Sequence, residues 1–213
     1  MIYEQTKARL ATTKKLNTAA IDQIAKEYLK DGLDVTSLYP YLKESGAIHR
    51  IYFVVSLKKI KSFEAQLTFI EEHFAFLNDW WHVDLLLQLL RPAPSFEYVF
   101  NKAKDYVLSA LPFVRRWGYV IFLSGHQKDS LHTKEIISLM KNDDAYYVQM
   151  GMAWLLADLA VYNPEVVLDY FEKPRLQYAI VGKAIQKICD SLRISDEIKC
   201  KAKQLRKNKH RNI

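Results

Sequence analysis

Two residues with the capacity for chemistry, a tryptophan and an aspartate, stand at helical spacing in an apolar stretch. Trp80 and Asp84 are four residues apart within residues 77–90, where Asn78 or Asp79 can cap a helix. Residues at this spacing share one helix face, so the ring and the carboxylate project together. The pair predicts one of two things: a cleft that stabilises a developing positive charge, or a buried carboxylate with a cationic partner.

Cations and a further tryptophan stand on later apolar segments. Arg115 and Arg116 follow a proline that suits a first helical turn, and Trp154 lies in the next apolar segment. If these helices keep the same phase, the side chains converge with Asp84 on one cleft. Either arginine is equally the natural partner for a buried Asp84 in a structural ion pair.

The elements that carry these residues are predicted to be helices throughout. Only 6 Gly and 6 Pro occur in 213 residues, and strand-like alternation is absent from the pattern. We expect helices over residues 1–16 and 18–30, and a short one over 35–42 bent by Pro40. Later helices are predicted to begin near the following residues: His49, Ser62, Asp79, Ser95, Pro112, Thr133, Ala145, Asn163, Gln177 and Ser195.

Alternate members of this set form what we call the apolar series. It consists of the helices predicted to start at His49, Asp79, Pro112, Ala145 and Gln177, at intervals of 30, 33, 33 and 32 residues. Two-helix units at such a period indicate an all-α solenoid of HEAT-like repeats, whereas a compact bundle has no reason to keep a period. We expect one domain over residues 1–213, with N-terminal helices in 1–47, regular repeats in 48–194 and a last helix with a basic tail in 195–213.

Composition and charge bound the possible partners. The net charge of +7 suggests an acidic partner such as nucleic acid. Seven cations and no acid follow Glu197, so either a phosphate-binding tail or a solvated terminus explains the excess. No apolar run is long enough for a membrane helix, no signal peptide opens the chain, and 2 Cys are too few for a metal site or disulfide framework. These features predict a cytoplasmic protein with no membrane association.

Three motifs in order resemble the AlkD-like family of HEAT-repeat DNA glycosylases. They are Asp79-Trp-Trp-His-Val-Asp84, Val114-Arg-Arg116, and Met152-Ala-Trp154 followed by Tyr162-Asn-Pro164. The resemblance covers roughly residues 48 to 190. It implies a C-shaped solenoid that holds duplex DNA in a basic concave groove. It also implies excision of cationic alkylpurines by a monomer without metal or cofactor and without flipping the lesion into a pocket.

The resemblance also assigns roles to residues of this chain. Asp84, Trp80 and Arg116 would be catalytic, with Asp84 supporting the cationic sugar and Trp80 facing it. Arg116 would contact the DNA beside the lesion. The residues expected to bind DNA are Trp154, Arg115 and Lys183.

Departures from the family pattern concern the elements that grip DNA. Residues 1–48 lack the N-terminal motif Phe-x-Gly-Ile/Val-x-x-Pro and the arginine after it; the nearest segment is Asp34-Val-Thr-Ser-Leu-Tyr-Pro40. Met150 and Ala157 stand where the family has a lysine and an arginine. The absence of a phosphate-binding cation weakens binding regardless of DNA sequence.

The sequence leaves three functions open. The first is a DNA-binding repair protein of this superfamily with weak, absent or altered alkylpurine excision. The second is an active glycosylase that releases 3-methyladenine and 7-methylguanine. The third is a protein-binding helical-repeat scaffold, since stacked repeats often bind partner proteins.

Overall fold

The described part of the chain folds into helices joined by turns and short connections. The computed structural model describes residues 2–210, with side chains through Arg206, and no strand occurs in this range. The all-helical prediction is therefore confirmed. Contacts divide the chain into two compact units, residues 1–91 and 92–213.

Residues 2–91 of the first unit form five α-helices and short 3-10 helices. The α-helices are α1 (Ile2–Thr12), α2 (Thr18–Lys30), α3 (Gly46–Lys59), α4 (Phe63–Glu72) and α5 (Trp80–Leu89). A 3-10 helix over Thr36–Tyr41 contains Pro40, where the sequence predicts a bent helix. The first helix ends at Thr12, short of the predicted residue 16; the hydroxyls of Thr12 and Thr13 donate to carbonyls of the preceding turn and compete with helix continuation.

The second unit contains seven α-helices in the described range. They are α6 (Phe96–Tyr106), α7 (Pro112–Val120), α8 (Thr133–Ser138), α9 (Tyr146–Tyr162), α10 (Pro164–Glu172), α11 (Tyr178–Asp190) and α12 (Asp196–His210). In this unit α9 packs between α7 and α11, while α10 contacts both α9 and α12. The apolar series thus forms one layer here, and shorter helices pack beside it.

The predicted period is present in the helix starts. The five helices of the apolar series, α3, α5, α7, α9 and α11, begin at intervals of 34, 32, 34 and 32 residues. The largest difference from the sequence is in α3, which begins at Gly46 because Ser45 accepts from the Ala47 amide and caps it. Asp79 caps its helix as predicted, and Ser62 and Ser95 cap the helices that were predicted to begin near them.

A buried glutamine joins the ends of α3 and α5. Gln66 Nε2 donates to the carbonyls of Leu57 (2.9 Å) and Leu89 (3.0 Å), and its Oε1 accepts from the Arg91 amide at 2.7 Å. These bonds satisfy backbone groups that a helix end leaves unpaired. Gln66 therefore fixes α5, which carries Trp80 and Asp84, relative to α3.

A glycine allows α7 to lie close to the end of α6, and its replacement gives a stability prediction. A Cβ on Gly118 would lie 2.8 Å from Val107 Cγ1 and 3.0 Å from the Val107 backbone nitrogen. Gly118→Ala is therefore expected to lower the free energy of unfolding by about 1–2 kcal/mol. Gly182→Ala is the control: the nearest atom is a Tyr178 ring carbon at 3.5 Å, so stability is unchanged or rises by about 0.5 kcal/mol. Urea unfolding of both variants checks this, and equal effects would contradict it.

Candidate functional site

Trp80 and Asp84 lie at the beginning of α5 and on one side of it. Asp79 caps the helix by accepting from the Trp80 amide at 2.7 Å. Trp80 is 45 % exposed, a high value for a tryptophan, and Asp84 is partly buried. An aromatic face and a carboxylate are thus presented together, as the i, i+4 spacing predicts.

Trp81 and His82, which follow Trp80 on α5, explain why the face with Trp80 and Asp84 points away from α3. Trp81 Cζ2 lies 3.1 Å from the position that a Cβ on Gly46 would occupy, so a glycine at the start of α3 allows the ring to approach. His82 is buried and stacks on the buried His49 with ring centroids 3.6 Å apart. With Trp81 and His82 held against α3, Trp80 and Asp84 are left on the other side of the helix.

A basic cavity adjoins the C-terminal half of α5. It has a volume of about 180 Å³ and is lined by α2, α3 and α5, including Gln88 one turn after Asp84. Arg50 is held there by Asp22, with Nε to Oδ1 at 2.6 Å and Nη2 to Oδ2 at 2.9 Å. The exposed Lys26 and Lys58 complete the lining, so this side of the first unit carries excess positive charge.

The segment nearest to the missing N-terminal motif is used in packing. Leu38 is fully buried, and the Tyr39 ring makes edge contacts with His73 (5.4 Å) and Phe76 (5.0 Å). Nothing in this 3-10 helix offers the arginine that the resemblance places after the motif. The cations that line the cavity beside the C-terminal half of α5 come instead from α2 and α3.

Arg115 organises the start of α9. Its Nε and Nη2 donate to Asp143 at 2.6 and 3.1 Å, and its Nη1 donates to the carbonyls of Ser109 and Ala110. Asp143 also accepts from the Ala145 amide. Burial opposes ionisation of Asp143, but these bonds outweigh it and lower the pKa of the carboxyl. The carboxylate partner of Arg115 is therefore Asp143, and contact of Arg115 with DNA stays a prediction.

Arg116 lies between α7 and α9. It is only 4 % exposed, and its Nη1 donates to the Tyr147 carbonyl at 2.8 Å. A Cβ on Gly151 would lie 3.2 Å from Arg116 Cγ, so this glycine makes room for the arginine. The position ties the two helices together, and a catalytic or DNA-contacting role remains a prediction.

Trp154 lines a cavity in the second unit together with charged residues. The cavity has a volume of about 290 Å³ and lies between α9, α11 and the turn after α11. Asp158, one turn beyond Trp154, is buried and forms an ion pair with Arg193 of that turn. Lys187 and Asp190 of α11 also line it. Trp154 and Asp158 repeat the spacing of Trp80 and Asp84.

The remaining predicted cations lie on α11 and α12. Lys183 is exposed on α11, one turn before Lys187. Much of the basic segment is a packed helix rather than a frayed tail, because α12 buries Ile198 and Ala202. The side chains of Lys207 and Lys209, and the whole of Arg211, lie outside the described residues.

The predicted site residues are divided between the two units. Trp80 and Asp84 belong to the first unit, whereas the arginines, Trp154 and Lys183 belong to the second. Convergence of the two groups on one cleft stays a prediction. The following residues near the site were missed from the sequence: Lys26, Arg50, Lys58, Asp158, Lys187 and Arg193. The sequence does contain a signal for Asp158, because Trp154 and Asp158 repeat the spacing of Trp80 and Asp84.

Residues 2–210 offer neither a metal site nor a membrane-spanning helix. Within this range no group of three or more His, Cys, Asp or Glu side chains is placed to hold a metal ion. None of the helices described there is long and apolar enough to cross a membrane.

Comparison with known proteins gives a family match over most of the chain. The family model described as DNA alkylation repair enzyme matches residues 15–188. This span includes every residue of the predicted site and the start of every helix of the apolar series. No curated protein and no solved structure matches the chain.

Proposed function

The chain belongs to the DNA alkylation repair enzyme family, and from this premise we propose that it is a duplex-DNA-binding repair protein whose alkylpurine excision is weak or shifted to another lesion. The observation that carries the proposal is the outward face of α5. There Trp80 and Asp84 are exposed or partly exposed on the helix whose C-terminal half lines a cavity together with Lys26, Arg50 and Lys58. The C-shaped solenoid with a concave groove is part of this proposal.

The chemistry requires few protein groups. In a cationic alkylpurine the N-glycosidic bond breaks with both electrons moving to the base, which leaves as a neutral molecule. The deoxyribose becomes oxocarbenium-like, and water adds at C1′ and gives up a proton. The Asp84 carboxylate would stabilise the cation and accept that proton, and the Trp80 ring face would favour the same charge.

Reduced excision follows from the reduced grip on DNA. The segment around Pro40 is engaged in packing, and Met150 and Ala157 provide no charge on α9. Arg115 and Arg116 are engaged with Asp143 and with the Tyr147 carbonyl, respectively. Weaker positioning of the lesion lowers the rate even where the catalytic carboxylate is present, because the reacting groups must be held in a near-attack geometry.

The cationic face of the first unit gives a binding prediction. Lys26→Ala/Lys58→Ala is expected to weaken duplex binding about 30-fold and to reduce the slope of log K against log salt by about 2, since each phosphate contact that is removed releases one counterion fewer. The control is Lys14→Ala/Lys15→Ala, which removes the same charge from the α1–α2 connection, outside the cavity. Titration by fluorescence anisotropy at several salt concentrations measures both. Equal losses of affinity in the two double variants would contradict a role for this face.

A second candidate function is an ordinary alkylpurine glycosylase, and the exposed Trp80 with Asp84 beside it favours it. The deciding assay is release of 7-methylguanine and 3-methyladenine from duplex DNA under single-turnover conditions. Slow release supports reduced excision, whereas robust release that depends on Asp84 establishes the ordinary enzyme. Absence of any salt-dependent duplex binding would reject both and favour a protein-binding scaffold.

A further inference from the structure

The cavity beside Trp154 has the parts of a binding site for a DNA backbone phosphate. We propose that Arg193 binds such a phosphate there, with Asp158 holding the guanidinium in place and Trp154 packing against the adjoining sugar. This rests on the proposed function, since it identifies a contact that a duplex would make on the second unit.

Arg193 is anchored at one end and accessible at the other. Its Nη2 donates to Oδ1 of Asp158, a carboxylate whose side chain is only 9 % exposed, while the Arg193 side chain is 56 % exposed. The hydrogen bond to Asp158 raises the pKa of Arg193, so the guanidinium stays charged. A guanidinium has five N–H donors in a fixed fork, and Asp158 occupies one side of it. The Tyr162 hydroxyl also interacts with the guanidinium, but more than half of the side chain stays exposed, so the remaining N–H donors can reach an anion, and a phosphate fits such a fork in two-point contact.

The other residues of the cavity fit a sugar-phosphate rather than a simple counterion. Trp154 supplies an aromatic wall, and the exposed Lys187 supplies a second cation within the same cavity. Asp190 is engaged with Gln186, whose Nε2 donates to both of its carboxylate oxygens at 2.9 and 3.1 Å. The two acids and two bases balance in charge, so selection for phosphate comes from the directed N–H donors of Arg193.

The guanidinium of this cavity comes from the turn after α11 and not from α9. Ala157 lines the cavity at the position where the family resemblance has an arginine. Arg193, which comes from the turn after α11, places a guanidinium in that same cavity. The turn after α11 thereby supplies the cation that α9 does not carry, and Asp158 of α9 anchors it.

The test removes the Arg193 guanidinium either alone or together with the charge of Asp158, its ion-pair partner. Arg193→Ala leaves the buried Asp158 without its cation and is expected to lose stability. The double variant Asp158→Asn/Arg193→Ala removes both charges, so it separates folding from binding. Arg193→Lys keeps the charge and loses the fork. Arg175→Ala is the control, because this exposed arginine lies in a different cavity, between α8 and α10.

Binding of each variant to a duplex is measured as a function of salt. Arg193→Ala and the double variant are both expected to bind about tenfold more weakly, with the salt slope lower by about 1. Arg193→Lys should keep the slope but bind about threefold more weakly, and Arg175→Ala should change neither. Unchanged binding in the double variant, or an equal weakening in Arg175→Ala, would overturn the inference alone. Failure of the wild-type chain to bind duplex DNA would overturn the proposed function with it.

Discussion

Replacing Asp84 with asparagine is expected to lower release of 7-methylguanine by about 100-fold or more, which brings a slow enzyme to the spontaneous rate. The amide has the shape of the carboxylate but cannot neutralise a cationic sugar or accept the proton of the attacking water. Duplex binding should be unchanged or tighter, because a negative charge near the phosphates is removed. Single-turnover base release and anisotropy titration measure the two effects separately.

Asp79→Asn is the matched control for this variant. Asp79 is an acid at the same helix, but its side chain caps α5 by accepting from the Trp80 amide, and asparagine caps a helix equally well. Release should therefore be retained. If Asp84→Asn releases base as fast as the wild-type chain, the catalytic assignment of Asp84 is wrong.

Acidification from pH 7 to pH 4.5 is expected to lower the free energy of unfolding by roughly 3 kcal/mol through His49 alone. Burial, followed by repulsion from His82, lowers the pKa of His49 to about 3. The unfolded chain takes up this proton below about pH 6.5 and the folded chain does not, so stability falls between these two values. The pKa values of His73 and His82 are also lowered by burial and act in the same direction.

Urea unfolding at closely spaced pH values tests this expectation. His49→Phe should fold, since Phe53 and Trp81 already provide aromatic neighbours at this position. In this variant the number of protons taken up on unfolding, which the slope of the free energy of unfolding against pH gives, should be lower by about one. Between pH 7 and 8 the free energy of unfolding should change with pH almost equally in the wild-type chain and in His49→Phe, because His49 is largely neutral there in both the folded and the unfolded chain. If the free energy of unfolding fell equally in both proteins between pH 6.5 and 4.5, His49 would take up its proton in the folded chain as well, and the expectation would be wrong.

Sequence periodicity predicted the helices well because their starts depend on local chemistry. Ser62, Asp79 and Ser95 satisfy amides of their own first turns, and Pro112 suits a first turn, so each start is encoded within a few residues. The end of α1 was placed too late because Thr12 and Thr13 bond back to the preceding turn. Residue spacing carries no information about that competition.

Side-chain direction was harder to predict than helix position. The pairing of Arg115 with Asp143 and of Arg193 with Asp158 joins residues 28 and 35 positions apart, so it depends on how helices pack. The depth of Arg116 depends on Gly151, which leaves space for it across the helix pair. By contrast, the spacing of Trp80 and Asp84 on one helix did predict that they share a face, although not that Trp80 would be exposed.

The most direct measurement of DNA contact is photocrosslinking from defined positions to a duplex. A photoreactive residue placed at Gln88 or Lys183, both exposed on helices of the apolar series, is expected to crosslink to DNA in a salt-dependent manner. The same residue at the exposed Lys134 of α8 is expected not to crosslink. Crosslinking from position 134 but not from 88 or 183, by a chain that binds the duplex, would contradict the account.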